Sequence, residues 1–352
     1  MCNDHVRSAA EAALSAPRAA AGAAVDPVTL PEVDEVTVTT LVDNTFDGLL
    51  ASGGGVTRTP MGAGRVVAPQ FADGATFAGL RAEHGFSVLV SVRSGDASST
   101  LLFDTGVSPD GLAVNAERLG IDASALQGVV LSHGHFDHAG GFDGLARLRG
   151  RSGLPLTVHP AVWTRRRLEL PGGRNLAMPT LSKGALEREG FTVIERRQPS
   201  LLAGGILVTG EVDRVTEFEH GMPRQHQAWD GHGWQHDPTV VDDQALVVSV
   251  RGRGLVVITG CGHAGVVNII RHAIRLTGVS RLLAVIGGFH LSGPAFEPVI
   301  APTVAALTDL APELIVPGHC TGWRAQHALA ATLPDAWVQT SVGTTYTLSA
   351  AA

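Results

Sequence analysis

The sequence predicts an α/β protein in which two β-rich layers are covered by helices. Three observations predict it. Short apolar runs bounded by Gly, Pro, Asn and Asp read as strands. These runs come first in meander-like pairs and then alternate with helical stretches, and the same order occurs twice. Finally, 44% hydrophobic and 17% charged residues among 352 supply a large core and exclude a disordered chain.

The elements follow in order. EVTVTTLV (35–42) reads as a strand, and Asp43 and Asn44 turn the chain. A Gly-rich loop, ASGGGVTRTPMGAGR, comes next. FSVLVSV (86–92) and TLLFDTG (100–106) read as paired strands joined by a turn over 94–99. LAVNAERLG (112–120) has helical spacing and ends at Gly120, a suitable C-cap. GVVLSH (128–133) is a short buried strand that runs straight into HGHFDHAGG. The second half holds strands in LPLTVHP, FTVIERR, ILVTGEV, ALVVSV and LVVITG, the last two flanking RGRG as a hairpin turn. A helix in AGVVNIIRHAIRLTG is followed by LLAVIGGFH, a Pro-interrupted helical stretch, ELIVPGH and a last helix around Arg324 to Ala331. AWVQTSVGTTYTL (336–348) reads as edge strands.

This pattern places an Ala-rich, frayed extension over 1–27 ahead of a single domain over 28–352, with one long polar loop over 213–243. With 26 Lys and Arg against 33 Asp and Glu, the net charge of −7 argues against nucleic-acid binding. No apolar run approaches the roughly 20 residues of a membrane span. No secretory start is recognisable, and Cys2, Cys261 and Cys320 make no disulfide framework, so a cytoplasmic protein is expected. The sequence leaves the oligomeric state open.

The chemistry concentrates in His133-Gly-His135-Phe-Asp137-His138. Histidines two apart on an extended segment point to one side, and Asp137 and His138 follow where the chain turns into a helix. Four nitrogen and oxygen donors in six residues suit zinc, with iron or manganese as alternatives. Gly134, Gly140 and Gly141 permit a tight backbone path. Three further histidines, His263, His290 and His319, each lie just past an apolar strand, where α/β enzymes place their chemistry. His263 and His319 are expected metal ligands, and His290 a ligand or substrate contact. His5, His159, His272 and His327 are expected at the surface or in packing, and Cys320 in the core. Asp104 is expected to orient a ligand by hydrogen bonding.

HGHFDH, preceded by a strand and Asp104-Thr105-Gly106, resembles the metallo-β-lactamase superfamily. LVDNT (41–45), EHGFS (83–87), DDQALVV (242–248), ITGCGHAGVVNII (258–270), IGGFHL (286–291) and PGHCTGW (317–323) are similar to its dihydropterin–ribofuranosylaminobenzene-phosphate synthase-like branch. The resemblance runs roughly from Val36 to Thr347. It implies a four-layer αββα sandwich with the metal site at one edge of the two sheets. It also implies one metal on His133, His135 and a third histidine, and a second on Asp137, His138 and His319. His263 is the preferred third ligand, with Asp242 or Asp243 as the alternative. Dinuclear hydrolases of the superfamily carry a bridging Asp where this chain has Cys261, which can bridge as a thiolate, stand aside or leave the second site weak.

The expected activity is that of a metal-dependent hydrolase or related transferase. A metal-activated water would attack a small anionic substrate, pterin- or phosphate-containing. Asp137 would orient the water, and His290 would contact the substrate or its leaving group. Glu217, His220 and Arg224 in the long loop would bind substrate beside Trp229 and Trp234; the competing reading is a solvated insertion anchored by its tryptophans. The alternative to an enzyme is a metal-bound small-molecule sensor with little turnover.

Overall fold

Two mixed β-sheets lie face to face because the long strands of each turn a row of apolar side chains towards the other. The computed structural model describes residues 27–62 and 64–351, so the 1–27 extension, Pro27 apart, lies outside the described residues. The eight-stranded first sheet runs Phe191–Glu195, Leu154–Val158, Gly128–Val130, Ala97–Phe103, Ser87–Ser94, Glu35–Val42, Thr345–Ser349, Val56–Thr57. Its first four strands are mutually parallel. The second sheet runs Ser200–Leu202, Ile206–Val208, Leu246–Val250, Gly254–Thr259, Leu282–Gly288, Leu314–Gly318, with Glu32–Val33 also pairing beside Leu246–Val250. Its last three strands are parallel.

Alternation along the strands divides the apolar residues into three cores. Val36, Val38, Val88 and Val90 face Leu246, Val248, Val256 and Ile258 between the sheets. Val247, Val257 and Val285 point the other way, onto helices Val266–Thr277, Ile300–Leu310 and Trp323–Thr332. Leu102, Val129 and Leu156 meet helices Gly111–Arg118, Phe142–Arg149 and Lys183–Arg188. Helix, sheet, sheet, helix is the four-layer α/β sandwich the resemblance implies. Strands covered on both faces read as continuous apolar runs, which is why LVVSV is buried throughout.

Two expectations need correction. The C-terminal stretch 336–348 does not form edge strands. Its one strand, Thr345–Ser349, pairs antiparallel with Glu35–Val42 on one side and Val56–Thr57 on the other. The long polar segment is not a loop throughout. His226–Trp229 and Trp234–His236 form a hairpin that joins Arg166–Leu170 and Arg174–Ala177 in a separate four-stranded sheet. Asp230 makes its turn, accepting the amides of His232 and Gly233 at 2.8 and 2.7 Å. Trp229 and Trp234 pack edge to face within this sheet, under the guanidinium groups of Arg165 and Arg167.

Candidate metal centre

The expected site residues converge because parallel strands of both sheets end at one place. Asp104 follows Ala97–Phe103, Ser132 to His138 follow Gly128–Val130, and Cys261 and His263 follow Gly254–Thr259. His290 and His319 follow Leu282–Gly288 and Leu314–Gly318. Five described non-glycine residues have positive φ, and three are here: Asp104 (62°), His290 (46°) and His319 (46°). Left-handed backbone at non-glycine positions concentrates where side chains must be aimed. A Cβ on Gly140 would collide with the carbonyl of Val107, and one on Gly134 with that of Val162. The motif's turn therefore needs glycine at both positions.

One cluster is made of three imidazoles. His133 Nε2, His135 Nδ1 and His263 Nε2 lie 3.0, 3.1 and 3.2 Å from one another. Adjacent ligands of a tetrahedral zinc, with bonds of about 2.0–2.1 Å, stand about 3.3 Å apart. The hydrogen bonds behind the rings fix one tautomer. Ser132 Oγ donates to Asp104 Oδ2 at 2.7 Å, so its contact with His133 Nδ1 at 2.9 Å has the imidazole as donor. That leaves His133 Nε2 as a bare lone pair inside the triangle. Burial, reinforced by the neighbouring imidazoles, holds the pKa of His133, His135 and His263 well below the usual histidine value. Neutral rings with converging lone pairs fit a metal cation. His263 completes this set, whereas Asp242 and Asp243 do not reach it. Asp242 pairs with buried Arg166 and accepts the Gly134 amide at 2.8 Å, while Asp243 accepts the Ala264 amide at 2.8 Å.

The second cluster is Asp137, His138, Cys261 and His319, whose donor atoms all lie within 4.8 Å of one another. His138 Nδ1 donates to Asp104 Oδ2 at 2.6 Å, which turns Nε2 towards Cys261 Sγ at 3.1 Å. Burial opposes charge on His138, yet the carboxylates of Asp104 and Asp137 outweigh it and raise its pKa to about 9. The cluster thus favours positive charge at the place where a metal would sit. Asp137 is held well below the ordinary carboxylate range, because His138 and His319 overcome its burial. His319 Nε2 is buried with no hydrogen-bond partner and lies 3.4 Å from Asp137 Oδ2. Cys261 also groups with His133 and His263, so its sulfur stands between the clusters. These residues are the ones that could hold divalent cations, with the Cys261 sulfur within reach of both sets. Asp104, as expected, braces both clusters rather than joining either.

His290 is a member of neither of these two sets, but its ring stands with Cys261 and Cys320 in a third group whose donor atoms lie within 4.8 Å of one another. It packs on His263 with ring centroids 4.2 Å apart and on Phe296 at 4.5 Å, and its Nδ1 is buried without a partner. It lies on the wall of a cavity of about 670 Å³ with Asn44, His84, His319, Trp323 and Gln326. It also lines a small pocket with His220, Phe218 and His263. Arg224 is elsewhere, in a separate cavity with Glu169 and Gln225. Glu217 is exposed and lines none of these three cavities. Of Glu217, His220 and Arg224, His220 is the one that shares any of these three cavities with a candidate metal ligand.

Sequence reasoning missed several contributors. Ser132 stands next to the motif but carries no metal-ligand signature. His84 is not among those missed: the family resemblance places it near the site although its spacing does not, and its Nε2 lies 3.8 Å from Asp137 Oδ2, with Asn44 bonding both His84 Nδ1 and the His319 carbonyl. Glu219 accepts the Val267 and Asn268 amides at 2.9 and 2.8 Å, which caps helix Val266–Thr277 just after His263. Burial pushes this carboxyl up to about 7. His226 is buried against His135, and no spacing distinguishes it from the other histidines of its segment.

Comparison with known proteins agrees with this geometry. Residues 80–273, more than half of the chain, match the family described as the metallo-beta-lactamase superfamily. The chain belongs to the metallo-beta-lactamase superfamily. Within it, the chain is 29% identical over 250 residues to a protein of Methanocaldococcus jannaschii, 7,8-dihydropterin-6-methyl-4-(beta-D-ribofuranosyl)-aminobenzene-5'-phosphate synthase. The match spans 70% of this chain and 83% of that one. A second protein of that organism, of uncharacterised function, is 28% identical over 245 residues, 69% of this chain and 86% of its own. Among solved structures, a metal-dependent hydrolase of the beta-lactamase superfamily superposes with a TM-score of 0.67 at 26% identity. That match covers 89% of this chain and 99% of the other. No helix among the described residues is long and apolar enough to cross a membrane.

Proposed function

We propose that this member of the metallo-beta-lactamase superfamily is a metal-dependent hydrolase or related transferase acting on a small pterin- or phosphate-containing molecule. The carrying observation is the triangle of imidazole nitrogens 3.0–3.2 Å apart beside a second set that shares Cys261. His133, His135 and His263 would hold one divalent cation, and Asp137, His138, His319 and Cys261 a second. Zinc is the ion the donor set favours, and iron and manganese remain compatible. Such ions supply Lewis acidity: they make a water molecule a nucleophile near neutral pH and polarise an acyl or phosphoryl oxygen.

The protein's own groups do the rest. Asp137 presents the carboxylate edge that orients the attacking water. His84, exposed at the cavity wall 3.8 Å from that carboxylate, can carry the proton away. His290, on the same wall, is placed to contact the substrate or its leaving group. The larger cavity is lined without Lys, Arg, Asp or Glu. A negatively charged substrate group would therefore be met by the cations and by His84, His290 and His319. The similarity to a pterin-related synthase supports the substrate class, and buried free thiols at Cys261 and Cys320 suit a reducing, cytoplasmic setting.

The test compares chelator-treated with metal-loaded protein on phosphoesters, lactones, thioesters and reduced pterins. Metal-dependent product release is the expected result. Equal background rates on the whole panel overturn the enzymatic reading, and ligand-induced thermal shifts without product would point to a sensor.

A further inference from the structure

Behind the first cluster, away from the proposed ion, a chain of hydrogen bonds leads out through His135 into the small four-stranded sheet. His135 Nε2 lies 3.1 Å from His226 Nε2, and His226 Nδ1 lies 3.0 Å from the backbone carbonyl of Asp237. A carbonyl only accepts, so His226 Nδ1 carries a hydrogen. With its hydrogen on Nδ1, the His226 ring presents Nε2 as an acceptor. His135 Nε2 must therefore be the donor, which strips His135 Nδ1 to a lone pair. This is the atom that faces His133 Nε2 and His263 Nε2 at 3.0 and 3.1 Å.

We infer that His226 is a positioning residue of the metal site: it selects the tautomer and ring orientation in which His135 offers Nδ1 to the cation. His226 is not a ligand of that ion, since it touches the opposite nitrogen of the His135 ring. Its own placement is firm. The His226 amide donates to the Pro223 carbonyl at 2.9 Å, and the Asp237 amide donates back to the His226 carbonyl at 3.0 Å. The Asp237 carboxylate accepts from Arg166 Nε at 3.0 Å. The Arg166 guanidinium also pairs with Asp242, which holds the Gly134 amide between the first two ligands. The hairpin of the polar segment thus acts as a brace for the metal site, in addition to any contact with substrate. The other histidines of the segment do not share this role: His236 Nε2 bonds the Met222 carbonyl, and His232 is exposed.

This inference rests on the proposed metal site and is tested apart from turnover. His226→Phe keeps a ring of similar size but removes the acceptor. His226→Gln restores an acceptor at about the same place. Metal affinity is measured by competition with a chromophoric chelator, and ligand geometry by the visible spectrum of the cobalt-substituted protein. Partners of metal-bound histidines typically affect affinity by about 10–100-fold. The phenylalanine variant is expected to lose that much affinity and to shift the cobalt spectrum. The glutamine variant is expected to stay within about threefold of wild type, following the same reasoning. A folded phenylalanine variant with wild-type affinity and spectrum overturns the inference. Should that variant not fold, the glutamine variant decides alone: a folded protein binding tenfold more weakly than wild type overturns the inference, and near-wild-type binding supports it. A wild-type protein that binds no metal would instead sink the functional reading beneath it.

Discussion

Replacing Asp104 with asparagine acts most directly on the second cluster, because His138 bonds Asp104 itself while His133 reaches it through Ser132. The buried Asp104 carboxylate accepts three hydrogen bonds: from Ser132 N at 2.6 Å, Ser132 Oγ at 2.7 Å and His138 Nδ1 at 2.6 Å. The substituted amide would keep one oxygen for the Ser132 backbone N–H and turn its NH2 group towards the other two. His138 Nδ1 would then have to accept, moving its hydrogen to Nε2, the atom facing Cys261 and Asp137. A ligand in the wrong tautomer should weaken the second ion by about 10–100-fold, or about 1.4–2.7 kcal/mol. Losing two bonds to a buried charge, each worth about 1.5–3 kcal/mol when intact, should also lower the stability of chelator-treated protein by about 2–4 kcal/mol after partial recovery by the amide. Stepwise chelator titration with elemental analysis reads the first effect, and urea unfolding the second. The first ion should stay bound. Loss of both ions together, or wild-type retention of the second, would refute the tautomer argument.

Other perturbations reach different parts of the site. Cys261→Ser should abolish the thiolate-to-metal band of the cobalt-loaded protein while one ion stays on the three histidines; an unchanged band would mean the sulfur is a bystander. Asp242→Ala leaves Arg166 with Asp237 as its remaining carboxylate partner, so urea unfolding should show a loss of about 3–5 kcal/mol, and a change under about 1 kcal/mol would contradict a bracing role. His138, with its folded pKa raised to about 9, contributes stability that is fully present below its unfolded value near 6.5 and is lost as pH rises through 9. Chelator-treated protein should therefore lose up to about 3 kcal/mol between pH 6.5 and 9, and His138→Gln should flatten that slope. A slope that persists unchanged in the variant would rule His138 out as its source.

The sequence makes visible what is local or periodic. Four donors in six residues announce HGHFDH, and apolar runs ending in His263, His290 and His319 mark strand ends without any knowledge of the sheets. Continuous apolar runs such as LVVSV and LVVIT imply two covered faces, hence layers. Hidden from it is whatever depends on non-local pairing. The segment 213–243 is too polar and too short in its alternation to show a hairpin, because its strands are stabilised by pairing with Arg166–Leu170. His226 differs from His220, His232 and His236 only by standing opposite His135. Asp242 and Asp243 are adjacent and chemically alike, yet one faces Arg166 and the other the amide after His263. Glu83 and His84 diverge similarly: Glu83 accepts the Val107 and Ser108 amides at 3.1 Å, while His84 turns to the cavity.

The most direct measurement is anomalous diffraction at the zinc edge from crystals of protein equilibrated with zinc and washed free of excess. A strong peak bonded to His133 Nε2, His135 Nδ1 and His263 Nε2, with a second beside Cys261, His138, Asp137 and His319, is the predicted result. An absence of stoichiometric zinc, or zinc held by other side chains while these three nitrogens remain unliganded, would contradict the account.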